Sequence, residues 1–366
     1  MVKIMGAASQ RLSALKESGD IFIVNVENVP WLIENWVPKK FDGLIIDESS
    51  RFKDSSTKRF KALKTVLKSF KRRIIMTGTP TPQGYGDLWS QVAILDLGQR
   101  LETSLTKFRT KYMRPGKVNP HTRVVYNWEL ITGADVAIQK QISDICLSLK
   151  AEDYLKLPKL TKLYHDIELD KDVRKQYDTL RKNMVTEIDG EQITAPTAAT
   201  LANKLLQFTS GAVYNEDGQA KEVHSAKLEY LESIMEESSS PTLVFYHFKH
   251  SLQRLRLSFP KAVVLDDDNI EAWRRGEIRM LLAHPQSGGI GLNLQCNAGE
   301  TAQTVWFDLP WSSENYIQAN ARIYRQGQEK PVIIHHLTVS NSVDKHVVKV
   351  LEGKMNLQDA LMESLK

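Results

Sequence analysis

The sequence predicts an α/β protein of two domains, each organised around a parallel sheet. Short apolar runs alternate with helical periodicity along most of the 366 residues. Several of those runs stop abruptly in carboxylates, hydroxyls or glycines, as a strand buried on both faces does where its carboxyl end opens onto a site. The length suits two domains, each large enough to bury its own core.

In the first domain, residues 1–150, strands are expected at 21–26, 43–47 and 73–77, with a helix over 56–70. The second, residues 151–366, begins near 150–162, where Pro158 interrupts a helical pattern. Helices at 173–184 and 197–211 read as an addition over 165–212 ahead of its first sheet strand, with a flexible hydrophilic loop at 189–196. A helix at 225–236 then leads into strands at 242–248, 263–266, 278–284, 304–308 and 332–338. The tail, 342–366, has the pattern of an amphipathic helix that braces one domain against the other.

Hydrophobic content of 42% and charged content of 25% place the chain among globular proteins. Two cysteines, Cys146 and Cys296, cannot build a disulfide framework or a structural zinc site. No apolar run reaches membrane-spanning length and the first residues show no secretory pattern, so no membrane partner and a cytoplasmic location are expected. The net charge of +5 is unevenly spread. From Lys53 to Arg73 there are nine basic residues against Asp54 alone, and Lys58, Lys61, Lys64 and Lys68 share a helical face. From Lys107 to Arg123 there are six basic residues and no acid. Such runs are either solvated faces or sequence-independent contacts to a phosphate backbone.

Four segments carry chemistry. In Leu44-Ile45-Ile46-Asp47-Glu48-Ser49-Ser50 a strand runs into two carboxylates, which suit either a turn or cap, or a site holding a metal ion and a water. In Arg73-Ile74-Ile75-Met76-Thr77-Gly78-Thr79-Pro80 a second strand meets small hydroxyl residues, as a plain exit or as a hydrogen-bond relay. In Ser287-Gly288-Gly289-Ile290-Gly291-Leu292-Asn293 the glycines let backbone N–H groups approach a phosphate. In Gln318-Ala319-Asn320-Ala321-Arg322-Ile323-Tyr324-Arg325-Gln326-Gly327-Gln328 two arginines fall one helical turn apart, as a surface cluster or as paired guanidinium groups for a polyphosphate.

In this order, over nearly the whole chain, the segments resemble the Swi/Snf-type branch of the superfamily 2 helicase-like motors, in the phage-encoded style. Val24-Asn25-Val26-Glu27-Asn28 resembles motif Ib, Asp47-Glu48 motif II, Thr77-Gly78-Thr79-Pro80 motif III and Leu243-Val244-Phe245-Tyr246 motif IV. The glycine turn resembles motif V, and Gln318, Arg322 and Arg325 fall on motif VI. Trp311, Gln326-Gly327-Gln328 and Lys204-Leu205-Leu206-Gln207 match further elements of that branch, whereas Ser50 stands where the family often has His.

The resemblance implies two RecA-like lobes with parallel sheets, ATP and Mg²⁺ as cofactors, and translocation on double-stranded DNA. It implies a metal at Asp47, water activation by Glu48, and arginine fingers at Arg322 and Arg325 assisted by Gln318. Thr77, Gly78, Thr79 and Gly291 would serve the nucleotide. Lys58, Lys61, Lys64, Lys68, Gly288, Gly289, Asn293 and Trp311 would serve the nucleic acid. The location implied is a phage-infected bacterial host cell.

No G-x-x-x-x-G-K-[ST] phosphate loop occurs, and only 46 residues precede Asp47. The first lobe is therefore expected to be amino-terminally truncated, with apolar strand edges uncovered and a separate polypeptide supplying the loop. A decayed, non-hydrolysing nucleic-acid-binding protein and a frame begun at an internal Met are the other expectations.

Overall fold

The computed structural model describes residues 1–35, 41–81, 84–116, 118, 122–123, 125, 127–148, 156–188, 190–195, 197–286 and 292–354. The chain divides into two compact units, Met1–Ser148 and Leu149–Lys366.

Unit 1 contains β1 (Val2–Ile4), α1 (Ala8–Lys16), β2 (Phe22–Val24), α2 (Val29–Glu34), β3 (Gly43–Ile46), α3 (Lys58–Val66), β4 (Arg72–Ile75), α4 (Gly86–Asp96), α5 (Leu105–Tyr112), β5 (Met113–Pro115), β6 (Trp128–Leu130) and α6 (Ala134–Ile142). Its described strands pair two by two: β1 with β2 and β3 with β4 in parallel, β5 with β6 antiparallel. The hydroxyl of Thr57 caps α3 by accepting from the Phe60 amide, and Phe60 and Leu63 turn inward onto the Trp89 face of α4. Strand β3 shows two faces. Leu44 and Ile46 pack on the main core of the unit, while Ile45 is 68% exposed beside its register partner Ile74, 50% exposed. Among the described residues β3 and β4 pair only with each other, and the apolar surface left uncovered includes this sheet face.

Unit 2 contains β7 (Leu160–Ile167), α7 (Lys171–Asn183), β8 (Val185–Ile188), β9 (Glu191–Thr194), α8 (Ala198–Thr209), β10 (Ala212–Tyr214), β11 (Ala220–Glu222), α9 (Ala226–Glu237), β12 (Thr242–Phe245), α10 (Lys249–Ser258), β13 (Val263–Val264), α11 (Ile270–Arg274), β14 (Met280–Ala283), β15 (Ala302–Trp306), α12 (Ser313–Asn320), β16 (Val332–Val339) and α13 (Val343–Leu351). Its centre is a six-stranded parallel sheet in the order β13-β14-β12-β15-β16-β7. Every residue of β12, β14 and β15 is buried, as a parallel sheet covered on both faces requires. Side chains separate by strand period: Leu243 and Phe245 face one core, Val244 and Tyr246 the other.

Two expectations are corrected, and a third falls partly outside the described residues. The first sheet strand precedes the helical addition, because Leu160–Ile167 pairs with β16 along its length. It is an edge strand with Leu163 and Tyr164 partly exposed, so its sequence lacks the flat apolar run of the central strands. The loop expected at 189–196 lies largely in a hairpin, β8 against β9, whose polar letters alternate with buried Ile188 and Ile193. The tail helix is described only as α13, which packs on α8 and β16 within unit 2, and residues from 355 onward lie outside the described residues.

Candidate functional site

Two clusters carry the predicted residues, one in each unit. In unit 1 the parallel pairing of β3 and β4 brings both strands' carboxyl ends side by side. The Met76 amide donates to the Ile46 carbonyl at 2.8 Å, and the Ser49 amide donates back to the Met76 carbonyl at 2.9 Å. Asp47-Glu48 and Thr77–Pro80 therefore exit next to each other. Asp47 is exposed, and its Oδ1 accepts from the Glu48 amide at 3.0 Å. Glu48 is left-handed, at φ 53 and ψ 55, a conformation that costs a non-glycine residue about 1–3 kcal/mol and persists only where its surroundings fix it.

Those surroundings are polar and buried. Ser49 and Ser50 are fully enclosed in the short 3₁₀ turn Ser49–Phe52. The Ser49 hydroxyl donates to Gln91 Oε1 on α4 at 2.8 Å, and Gln91 Nε2 donates to the carbonyls of Pro80 and Asp87 at 2.6 and 2.9 Å. On the other side Arg51 pairs with Glu27 at 2.5 Å, tying the turn to the Val24–Asn28 segment. The Thr79 amide donates to Thr77 Oγ1 at 3.1 Å, while the buried Thr79 Oγ1 has no hydrogen-bond partner among the described residues.

Lys58, Lys61, Lys64 and Lys68 are all exposed, opposite buried Phe60, Leu63 and Leu67. Lys68 stands in the 3₁₀ turn that follows α3. None of the four is ion-paired among the described residues. Several other residues of the basic runs are more committed. Arg73 donates to the carbonyls of Leu67 and Leu95, which lie at the ends of α3 and α4. Lys71 pairs with Asp42, Lys111 with Glu102 and Arg114 with Glu129. Arg109 lies over the Trp128 ring at 5.1 Å, and burial lowers its pKa.

In unit 2, Gln318 lies on α12, which Ser312 caps by accepting from the Asn315 amide. That helix ends at Asn320, so Arg322 and Arg325 stand in the turns after it and the expected shared helical face is corrected. Past Asn320 the ladder tightens into i→i−3 turns, the Arg322 amide donating to the Ala319 carbonyl and the Ile323 amide to that of Asn320, and the carbonyls beyond are held by a neighbouring strip. The Arg322 carbonyl accepts from the Leu294 amide at 3.0 Å, and those of Arg325 and Gln326 accept from Gln295 Nε2 at 2.9 and 3.0 Å. Gly327, at φ 95, completes the turn. Arg325 is exposed, whereas Arg322 is half-buried with its pKa lowered by desolvation.

Asn293 anchors the same strip. Its carbonyl accepts twice from the Arg274 guanidinium, and its Oδ1 accepts from the Gln295 amide. Trp311 packs on the core of the unit. Lys204 donates to the Tyr214 carbonyl and Gln207 Oε1 accepts from the Tyr214 amide, which fixes β10 to α8. Gly288, Gly289 and Gly291 lie outside the described residues. Sequence reasoning missed Gln91, Gln295 and Asn297. The first is a single amide in an otherwise apolar helix run, and the others are anonymous polar residues in a loop.

Residues 9–211 match the family model of the SNF2-related domain, and the chain belongs to that family. It is 35% identical to protein p41 of Acyrthosiphon pisum secondary endosymbiont phage 1, over 99% of this chain and 81% of that protein. It is 24% identical to the SWI/SNF-related matrix-associated actin-dependent regulator of chromatin subfamily A-like protein 1 of Xenopus tropicalis, over 93% of this chain, and spans 36% of that relative's length. Among solved structures it is similar to the Sulfolobus solfataricus SWI2/SNF2 ATPase core in complex with dsDNA, at 21% identity and a TM-score of 0.40, over 94% of this chain and 74% of that one.

Proposed function

We propose that the chain forms the motor part of a Swi/Snf-type enzyme that couples ATP hydrolysis to translocation along double-stranded DNA. The observation that carries this reading is the pairing of the carboxylate loop with the Thr77–Pro80 loop at the ends of two adjacent parallel strands, with Asp47 exposed at their mouth.

The residues present fit Mg²⁺. This ion binds through one or two carboxylates, completing its shell with phosphate oxygens and water, so the exposed Asp47 suffices and no three-residue cluster is needed. None occurs among the described residues. When bound, the metal would neutralise charge on the nucleotide's phosphates. Asp47 would hold it, and Glu48 would orient the attacking water and accept its proton. Arg322 and Arg325, assisted by Gln318, offset charge developing on the γ-phosphate, and arginines in that role contribute about 10³–10⁵ in rate. Thr77, Gly78 and Thr79 relay the state of the nucleotide. The exposed lysines of α3 hold the DNA backbone without reading bases.

The finer form of the proposal places the phosphate loop on a separate polypeptide. It is supported by the apolar face at Ile45 and Ile74, since parallel sheets are ordinarily covered on both sides. The proposed location is the cytoplasm of a phage-infected bacterium. Displacement of a third strand from a triplex by the complemented protein tests translocation. ATP-dependent release that fails in Arg325→Ala supports the reading, and release without ATP, or none, rejects it.

A further inference from the structure

Helix α4 carries a buried amide, Gln91, that core packing does not explain. Gln91 is 1% exposed and lies in a turn with Trp89, Val92 and Ala93, all of which face the main core of unit 1. A leucine of similar volume would suit that environment better, because a buried amide is tolerated only when fully bonded. Gln91 is fully bonded, and to two loops. Its oxygen accepts from the Ser49 hydroxyl, 42 residues upstream, while its nitrogen donates to the Pro80 carbonyl and to its own helix at Asp87. Its neighbour Ser90, also buried, donates to the Lys53 carbonyl at 2.5 Å, at the far end of the same 3₁₀ turn.

We infer that Gln91 is a positioning residue: its amide locks the loop bearing Asp47 and Glu48 to the loop bearing Thr77 and Thr79, so that the two move as one body. The inference rests on the function proposed above. Its geometry accounts for the left-handed Glu48. The residue after it is pinned at its amide by Met76 and at its hydroxyl by Gln91, which leaves Glu48 to absorb the turn. Both pins run to the Thr77 side of the site. A shift of Thr77–Pro80 by the nucleotide or by DNA is therefore transmitted to the carboxylate that handles the water.

Two variants cut one arm each. Ser49→Ala removes the carboxylate-side arm. Gln91→Glu keeps an acceptor for Ser49 but loses the donor to Pro80, along with the bond to its own helix at Asp87. Amide hydrogen exchange of the chain alone reads the coupling whether or not it hydrolyses ATP. Exchange is expected to quicken in both 47–53 and 76–81 in each variant, with α5 and α6 unchanged. In the complemented enzyme, each variant is expected to lower kcat for DNA-stimulated phosphate release about 10- to 100-fold, the scale of a misplaced catalytic group, with KM for ATP within about twofold. The double variant should be no slower than the worse single one. Quickening confined to the loop whose arm was cut, or kinetic losses that multiply in the double variant, would overturn the inference. If the complemented wild-type enzyme releases no phosphate, the proposed function has failed, and the exchange pattern still decides whether Gln91 couples the loops.

Discussion

Gln295 holds Arg325 in place through the backbone: its Nε2 donates to the Arg325 carbonyl at 2.9 Å and to that of Gln326 at 3.0 Å. The neighbouring Asn297 extends the clamp, donating to the Gly327 carbonyl and accepting from Gln328 and from the Glu329 amide. The arginine turn is thus fixed from the strip that follows the glycine segment. Gln295→Leu removes two hydrogen bonds to carbonyls, each with a net value of about 1 kcal/mol. We expect a loss of about 1–3 kcal/mol in urea unfolding and faster amide exchange confined to 322–328.

Unit 2 rests on a buried ion pair. Lys227 and Asp344 meet at 2.9 Å with side chains 1% and 0% exposed, and Asp344 also accepts from the Thr209 hydroxyl and the Val339 amide. Lys227→Met leaves that carboxylate without its cation and is expected to cost about 3–5 kcal/mol. Lys227→Met with Asp344→Asn should cost less than the single change. Equal losses would show that the charge pairing is immaterial.

Burial holds three histidines of unit 2 neutral: His224, His335 and His336 each fall to about 4. For each, the folded value lies below the unfolded value of roughly 6.5. Below that pH the unfolded chain binds protons that the folded chain refuses. Stability should therefore be level above about pH 6.5 and fall as pH drops toward 4, by up to roughly 1.4 kcal/mol per histidine per pH unit. Urea midpoints at pH 7.5, 6 and 5 check this, and His336→Gln should flatten the slope if it leaves unit 2 folded.

The four exposed lysines on and after α3 predict a salt signature. Replacing Lys58, Lys61, Lys64 and Lys68 by alanine should weaken duplex binding equally for all sequences. It should also reduce the slope of log affinity against log salt by about 0.9 for each DNA phosphate that is no longer neutralised. Thermal unfolding should barely move, since all four point to solvent.

The central strands of unit 2 were legible because burial on both faces demands the flat apolar runs at Thr242–Phe245 and Met280–Ala283. Leu160–Ile167 was not, because an edge strand exposes one side and its letters look mixed. That Asp47-Glu48 and Thr77–Pro80 each leave a strand was readable from two apolar runs ending in polar residues, whereas their side-by-side placement comes from the pairing of β3 with β4. The left-handed Glu48 was not, since it is imposed by partners distant in sequence. The arginine pair was visible as chemistry, but its helical placement was wrong because the chain past Asn320 tightens into i→i−3 turns, with the Arg325 and Gln326 carbonyls held by Gln295 from a segment distant in sequence.

The most direct measurement of the central claim is phosphate release from ATP, with and without duplex DNA, by the chain alone and with a polypeptide that carries a phosphate loop added. The account predicts DNA-stimulated release, abolished by Glu48→Gln and by Arg325→Ala. Release that duplex DNA does not stimulate, or that survives Glu48→Gln, would contradict it.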